Sequence, residues 1–444
     1  MAGFDFQRKL PYQDRTDFHM DIIRIFGKII GNQSLKNPER ARKFLLAGYR
    51  LQEMKLQLAP DRELPPSGQY TARITMQTVI RALTKPEHSA MISIFVPGEL
   101  LAAAGLTPYS VETMSCFLGG TKCEQTFLAR AGEEGFPETM CSYHRIFLGA
   151  ALTGLVPKPK CMLYTNLACD GNMMTFPWLK EKLGIPAFFI DVPYEKSKES
   201  VSYVAEQLRE AKCFLEEQTG KPIPEERLRQ AEANSRRAAS NYQKQLALRN
   251  RKNPVTTLTN ELYGLFMSYL LAGTEESVTY TKLLLTDTEH AGPSKAPGIV
   301  WMHIMPFLEP SVKEIFNYQG KAQIRACDFV ADGFRPLQAE DPYEAMAEKM
   351  VYSVYNGDLE GRIRTAENLV RQTGADGVIL FAHWGCKSTC GASTVIKEAL
   401  ESDGIPVLVL DGDGCNPANM SGGQTATRLQ AFLEMLGENQ QAEP

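Results

Sequence analysis

Gly377-Val-Ile-Leu-Phe-Ala-His383-Trp-Gly-Cys386-Lys387-Ser-Thr-Cys390-Gly-Ala-Ser393 is the stretch from which the rest of the chain can be understood. Its first half is a short apolar run of β-branched and aromatic residues, the composition of a strand buried on both faces. The run stops abruptly, and Ser393 to Leu400 has helical spacing. The link between them carries His383, Cys386, Lys387 and Cys390. Polar residues at the carboxyl end of a parallel strand, beside a helix N-terminus, lie where open α/β sheets hold their ligands. A thiolate there gains from free backbone N–H groups, from the helix dipole and from Lys387. Such a cysteine is poised to be a metal ligand or a nucleophile. The plainer alternative is an inert, buried thiol in a βα loop.

The same scheme extends outward. Ile299 to Met305, Gln323 to Val330 and Val407 to Asp411 are further strand-like runs, the last delivering Asp411-Gly-Asp413-Gly-Cys415-Asn416. Earlier come Met91 to Val96, Cys161 to Leu167 and Ala187 to Asp191. After the first of these, Pro97-Gly98-Glu99 opens a helix, as proline suits a helix start. The second leads into Thr165-Asn166-Leu-Ala-Cys169-Asp170, and Cys141 stands between them in Met140-Cys141-Ser-Tyr-His144-Arg. Strands alternating with helical segments, each ending in polar residues, predict an α/β fold. Two doubly wound (Rossmann/flavodoxin-like) parallel-sheet domains are expected, with an N-terminal helical arm and a helical insert. The predicted boundaries are 1–88 for the arm, 89–196 for the first α/β domain, 197–292 for the helical segment and 293–444 for the second α/β domain. Within the arm, helical spacing of Ile22, Ile25, Phe26, Ile29 and Ile30 ends at Gly31-Asn32, and a second helix runs from Pro38 to Leu58. The basic residues Arg236, Arg237, Arg249, Arg251 and Lys252 are expected on a solvated helical face, with a docking surface as the alternative.

Composition narrows the function. The 444 residues carry a net charge of −4 with 43% hydrophobic residues and a pI near 6.0, and show no long basic stripe for nucleic acid. No run reaches membrane-spanning length and the N-terminus lacks the apolar core of a signal peptide, so a cytoplasmic protein free of membrane is expected. Ten cysteines in that setting point to metal or catalysis rather than disulfides. There is no Cys-x2-Cys pair for a zinc ribbon, and no glycine-rich loop with Gly-Lys-Ser or Gly-Lys-Thr. What remains is cysteine presented singly at three separated βα connections: Cys141, Cys169 and Cys386. Three converging thiolates would suit an iron–sulfur cluster with one iron left open, able to act as a Lewis acid or to pass an electron.

Several motifs together carry a resemblance. They are Pro97-x-Glu99 with Gly105-Leu-x-Pro108, Cys141-Ser-Tyr, Thr165-Asn166-x2-Cys169-Asp170, Asp191-x-Pro193, His383-Trp-Gly-Cys386-Lys387 and Asp411-Gly-Asp413-x-Cys415-Asn416, closed by Gly423-Gln424-x3-Thr427-Arg428. In this combination the chain, from about residue 90 to 436, resembles the 2-hydroxyacyl-CoA dehydratase family, whose relatives include benzoyl-CoA reductase subunits and double-cubane proteins. The resemblance implies a lyase acting on an acyl-CoA and a 4Fe-4S cluster on Cys141, Cys169 and Cys386. It also implies a related sister subunit, or a second copy of the chain, and a separate ATP-dependent iron–sulfur activator that injects one electron. The thioester then becomes a ketyl radical anion that expels the hydroxyl. Glu99 and His383 are the candidate bases. Each has a plainer role, Glu99 balancing a helix dipole and His383 bonding a ligand sulfur. Cys116, Cys123, Cys390 and Cys415 depart from a three-cysteine set and leave open a double-cubane 8Fe-9S cluster and a reductase function. A subunit that holds a cluster without turning over substrate is the remaining alternative.

Overall fold

The structure is a computed structural model; it describes residues 12–442 apart from position 319, and side chains within 22–438. The arm is three helices: α1 (Tyr12–Lys36), α2 (Pro38–Leu58) and α3 (Pro66–Thr84). Asn37 starts α2 by accepting the Arg40 N–H at 3.0 Å, with Pro38 at the first position where no N–H is needed. Gly31 does not end α1, which continues to Lys36. The glycine serves close packing instead, because a Cβ there would lie 2.3 Å from the Thr126 hydroxyl.

The first sheet contains β1 (Ser89–Ile92), β2 (Thr107–Ser110), β3 (Cys161–Thr165) and β4 (Ala187–Ile190), parallel and in the order β2-β1-β3-β4. The second contains β5 (Gly298–Met302), β6 (Gln323–Cys327), β7 (Gly377–His383) and β8 (Val407–Gly412), parallel and in the order β6-β5-β7-β8. In each sheet the chain moves one way from its first strand and then back past it. β2 escapes sequence reading because its four residues include Pro108. A proline lacks the ladder donor and suits an edge, where β2 lies. β6 stops at Cys327, short of the expected Val330. There Asp328 accepts the His303 and Phe329 N–H groups and turns the chain into the helix Asp328–Gly333.

Period-two alternation explains the first sheet's burial. Ala90, Ile92, Cys161 and Leu163 enter one core, which continues through the helical segment to the second sheet. Met91 and Met162 enter another, shared with Leu45 of α2 and Val79 of α3. The arm therefore covers one face of the first sheet. Its own outer face is different. Ile22, Ile25, Ile29, Leu35, Phe44, Leu51, Met54 and Leu58 are exposed, Leu51 by 67% and Leu58 by 75%.

Four helices, Lys198–Thr219, Glu225–Leu248, Leu258–Tyr269 and Glu275–His290, join the two sheets. The basic run expected on a solvated face is divided: Arg237 and Arg251 are exposed as expected, Arg236 and Lys252 are half-buried, and Arg249 is buried. Arg236 donates to the Leu337 carbonyl at 2.7 Å, and buried Arg249 donates to the carbonyls of Arg325 and Ile324 at 3.0 and 3.3 Å. Arg237 pairs with Glu275 at 2.7 Å, and Lys252 donates to the Glu289 carbonyl. Arg249 thus ties the helical segment to the second sheet, and Arg236 ties it to the chain after the helix Asp328–Gly333. Among the described residues no helix is long and apolar enough to cross a membrane.

Candidate metal centre

The carboxyl ends of β3 and β7 bring Cys169 and Cys386 together with Cys141, each at the residue preceding a helix; Cys141 lies between the helices Glu124–Glu133 and Ser142–Thr153 and not on the βα connection expected for it. Cys141 caps the helix Ser142–Thr153, Cys169 the helix Asp170–Leu183 and Cys386 the short turn Lys387–Cys390. At that position the chain still has free N–H groups. The N–H groups of His144 and Tyr143 point at the Cys141 sulfur, and those of Asn172 and Gly171 at Cys169. Two of the turns need a left-handed residue just before the cysteine: Ala168 at φ 62° and Gly385 at φ 80°. Gly385 is also forced by contact, since a Cβ there would sit 2.6 Å from the Cys141 nitrogen.

That contact is part of a seam between the two sheets. Ser142 donates its hydroxyl to Asp413 at 2.5 Å. The same buried carboxylate oxygen accepts the N–H groups of Cys415 and Asn416 at 3.0 and 2.9 Å, and its other oxygen accepts from the Asn419 amide. Above the seam, exposed Lys387 and Asp170 pair at 3.4 Å. The pair joins the residues that directly follow Cys386 and Cys169.

Every one of the three sulfurs also meets an imidazole. Cys141 Sγ lies 3.2 Å from His383 Nε2, Cys169 Sγ 3.4 Å from His144 Nε2, and Cys386 Sγ 3.8 Å from His303 Nε2. All three rings are buried. Burial first, then repulsion from His383, pushes the His144 pKa down to about 4. His383 is also at about 4 through burial, with Asp413 opposing the shift. The rings are therefore neutral at pH 7 and bring no positive charge to the sulfurs.

Two of the thiols, Cys141 and Cys169, resist ionisation in the bare protein. Burial, then the neighbouring Cys169 and Cys386, push Cys141 far above its ordinary value; burial, Glu112 and Cys386 do the same to Cys169. Cys141 and Cys169 thus lie near Cys386 in a low-dielectric pocket, where an added positive charge would favour the thiolate form. Among the described residues no three His, Cys, Asp or Glu side chains close on a single metal ion. A set of three such thiols fits a polynuclear centre, whose metal atoms and sulfides fill the space between ligands, better than a lone zinc.

The other predicted residues are placed as follows. Cys415 donates to the Ser115 carbonyl at 3.2 Å and Cys123 to the Leu118 carbonyl at 3.4 Å, so both thiols have partners in the fold. Cys390, exposed, donates to the His383 carbonyl at 3.2 Å. Cys116 and Cys415 both stand near the buried Tyr143 ring, on the Cys141 side of the first sheet. His383 uses both ring nitrogens: Nδ1 accepts the Gly414 N–H at 3.1 Å while Nε2 faces Cys141. That arrangement favours support of the sulfur over taking a substrate proton. Glu99 is buried away from the cysteines' contacts. It accepts the Ser235 hydroxyl at 2.7 Å and pairs with Lys349 at 3.5 Å, linking the first sheet to the helical segment.

A carboxylate that the sequence did not single out lies nearer. Glu112 opens the helix Val111–Gly120, one turn ahead of Cys116, and its charge acts on both Cys116 and Cys169. Its Oε2 atom is enclosed without a hydrogen-bond partner, and burial holds its proton more tightly than usual. His144, His303 and Asp413 were likewise given no role from sequence. The available signal was position, because each follows a strand end or a ligand cysteine within a few residues.

The profile of the family described as 2-hydroxyglutaryl-CoA dehydratase, D-component, matches residues 93–436. The chain is 24% identical over 402 residues to the (R)-phenyllactyl-CoA dehydratase alpha subunit of Clostridium sporogenes, covering 84% of this chain and 96% of that one. It is 23% identical over 388 residues to the lactoyl-CoA dehydratase subunit alpha of Anaerotignum propionicum, covering 78% and 90%. With the (R)-2-hydroxyglutaryl-CoA dehydratase subunit alpha of Acidaminococcus fermentans it shares 24% identity over 304 residues, covering 64% and 62%.

Proposed function

Because the chain belongs to the 2-hydroxyglutaryl-CoA dehydratase D-component family, we propose that it is the iron–sulfur subunit of a 2-hydroxyacyl-CoA dehydratase, a hydro-lyase removing water from a 2-hydroxyacyl thioester. The observation that carries the reading is the convergence of Cys141, Cys169 and Cys386, each at a helix start. Cys141, Cys169 and Cys386 would hold a 4Fe-4S cluster, which would supply one-electron and Lewis-acid chemistry toward the thioester. The protein's part is to hold the thiolates with backbone N–H groups, to keep the two sheets in register through Ser142 and Asp413, and to shield the sulfurs from water. The hydrogen bonds of Cys415 and Cys123 to carbonyls favour three ligands over six, and so a dehydratase over a double-cubane reductase.

The reaction also needs a base for the β-proton. Glu112 suits this role, with one enclosed carboxylate oxygen unpartnered and a raised proton affinity. General bases work best when their pKa lies near the working pH. Glu112→Gln is expected to keep its full iron content while kcat for 2-enoyl-CoA formation falls by roughly 10²–10⁴-fold, the usual weight of one acid–base group. Unchanged turnover in that variant would remove Glu112 from the mechanism. Absence of any 2-enoyl-CoA from a panel of 2-hydroxyacyl thioesters, with the complete enzyme system, would remove the dehydratase reading itself.

Two partners follow. An acidic sister subunit fits the outer face of α1 and α2, where exposed apolar side chains lie among eight Lys/Arg and two Asp/Glu in residues 22–58. The second is an ATP-hydrolysing iron–sulfur activator. Residues 236–252 are poorly suited to receive it, since Arg236 and Arg249 are committed to internal carbonyls.

A further inference from the structure

The three sulfurs and three imidazoles form separate pairs, and the rings come from three different elements. His144 lies on the helix that Cys141 caps, His303 just after β5 and His383 at the end of β7. We propose that these histidines are positioning residues whose Nε2–H groups donate to the sulfurs of Cys169, Cys386 and Cys141 and thereby set the reduction potential of a cluster held there. The proposal rests on the assignment of those cysteines as cluster ligands.

The fold dictates the tautomer at His383. The Gly414 N–H donates to Nδ1 at 3.1 Å, so the ring proton sits on Nε2, 3.2 Å from the Cys141 sulfur. At His144 the Thr175 hydroxyl is 2.8 Å from Nδ1; with that hydroxyl donating, Nε2 carries the proton toward Cys169 at 3.4 Å. His303 Nε2 faces the Cys386 sulfur at 3.8 Å, and the ring also bonds the Phe381 carbonyl.

Local structure is arranged around these contacts. His303 has φ 74°, an uncommon conformation for a residue with a side chain, and Asp328 secures it by accepting its N–H at 2.8 Å. Residue 171, two after Cys169, is glycine, and a Cβ there would meet the His144 ring at 2.7 Å. Room for the ring is thus made at the ligand's own turn.

The chemistry that follows is electrostatic. An electron added to a cluster spreads over its sulfurs, and N–H donors stabilise that charge, raising the reduction potential. Three donors, one per ligand, would ease the loading of an electron into a buried site. Direct ligation by the imidazoles is a different arrangement, and would cost iron when a ring is removed.

The test uses the full chain, reconstituted anaerobically with iron and sulfide, as wild type, His144→Leu and His144→Gln. Iron and sulfide content, thermal unfolding of the metal-free chain and the midpoint potential from an EPR-monitored titration are measured. His144→Leu is expected to keep its iron but show a more negative midpoint, and the amide N–H of His144→Gln to restore most of the shift. Should His144→Leu not fold, His303→Leu carries the same expectation at Cys386. An unmoved midpoint in a fully loaded Leu variant would overturn the proposal, as would equal shifts for Leu and Gln or iron lost in proportion to the rings removed. A wild-type chain that takes up no iron would overturn the ligand assignment and this proposal with it, whereas a loaded wild type with unmoved variants would overturn this proposal alone.

Discussion

Replacing Cys386 by alanine is expected to strip most of the iron and sulfide from the anaerobically purified protein, together with its brown colour. The sulfur sits at a helix start among two other thiols whose ionisation the bare protein disfavours. Removing one ligand leaves two thiolates and an exposed metal corner, and clusters of this kind are held by their thiolates. Cys141→Ala and Cys169→Ala should behave alike. Cys123→Ala is the contrast: its thiol donates to the Leu118 carbonyl near the C-terminal end of the preceding helix, Val111–Gly120, so iron should stay at the wild-type level. Iron and acid-labile sulfide per chain, measured under argon, check the series. Full iron in Cys386→Ala would contradict the assignment.

The second large effect concerns the source of the electron. The β-proton of a 2-hydroxyacyl thioester is not acidic, and one-electron reduction of the carbonyl needs a donor more reducing than ordinary ferredoxins. A second source of free energy must be coupled to that transfer. The chain contains no Gly-x4-Gly-Lys loop, and the glycine pairs Gly119-Gly120 and Gly422-Gly423 lack the flanking lysine of a phosphate site. The protein with its sister subunit is therefore expected to show no turnover with ATP and a mild reductant. Turnover should rise from background to many cycles per active site when an ATP-dependent iron–sulfur activator is added in substoichiometric amount, because each electron is used repeatedly. A coupled assay for 2-enoyl-CoA, with and without activator, measures this. Dehydration at full rate without it would mean that the electron is not required.

Much of this centre was legible in the chain because two of its three cysteines follow strands. The run Gly377 to Ala382 announces a buried strand, which β7 bears out, and the polar residues after it lie at that strand's carboxyl end. Cys169 and Cys386 follow strands as that logic expects, whereas Cys141 follows the helix Glu124–Glu133; the approach of the three is a matter of topology that period and composition do not encode. The histidines were harder to foresee. A lone His144 in a helix or His303 after a strand is ordinary in sequence, and only the approach of β5, β7 and the Ser142–Thr153 helix gives each ring a sulfur. Gly31 misled because glycine as a helix stop and glycine as a contact point look alike until Thr126 is seen against it. In the basic run 236–252, Arg236 and Arg249 misled for a similar reason, while Arg237 and Arg251 are exposed as expected: exposed arginines and arginines reaching carbonyls have the same spacing. Glu112 was passed over in favour of Glu99, which opens a helix in the same manner but packs against Ser235 and Lys349.

The measurement that bears most directly on this account is the metal stoichiometry of the wild-type chain purified without oxygen. About four iron and about four sulfide per chain, with no stoichiometric zinc, are expected for one cluster on three cysteines. About eight iron would place Cys116, Cys390 or Cys415 among the ligands and revive the double-cubane reductase. An air-stable protein carrying one zinc and no sulfide would contradict the account outright.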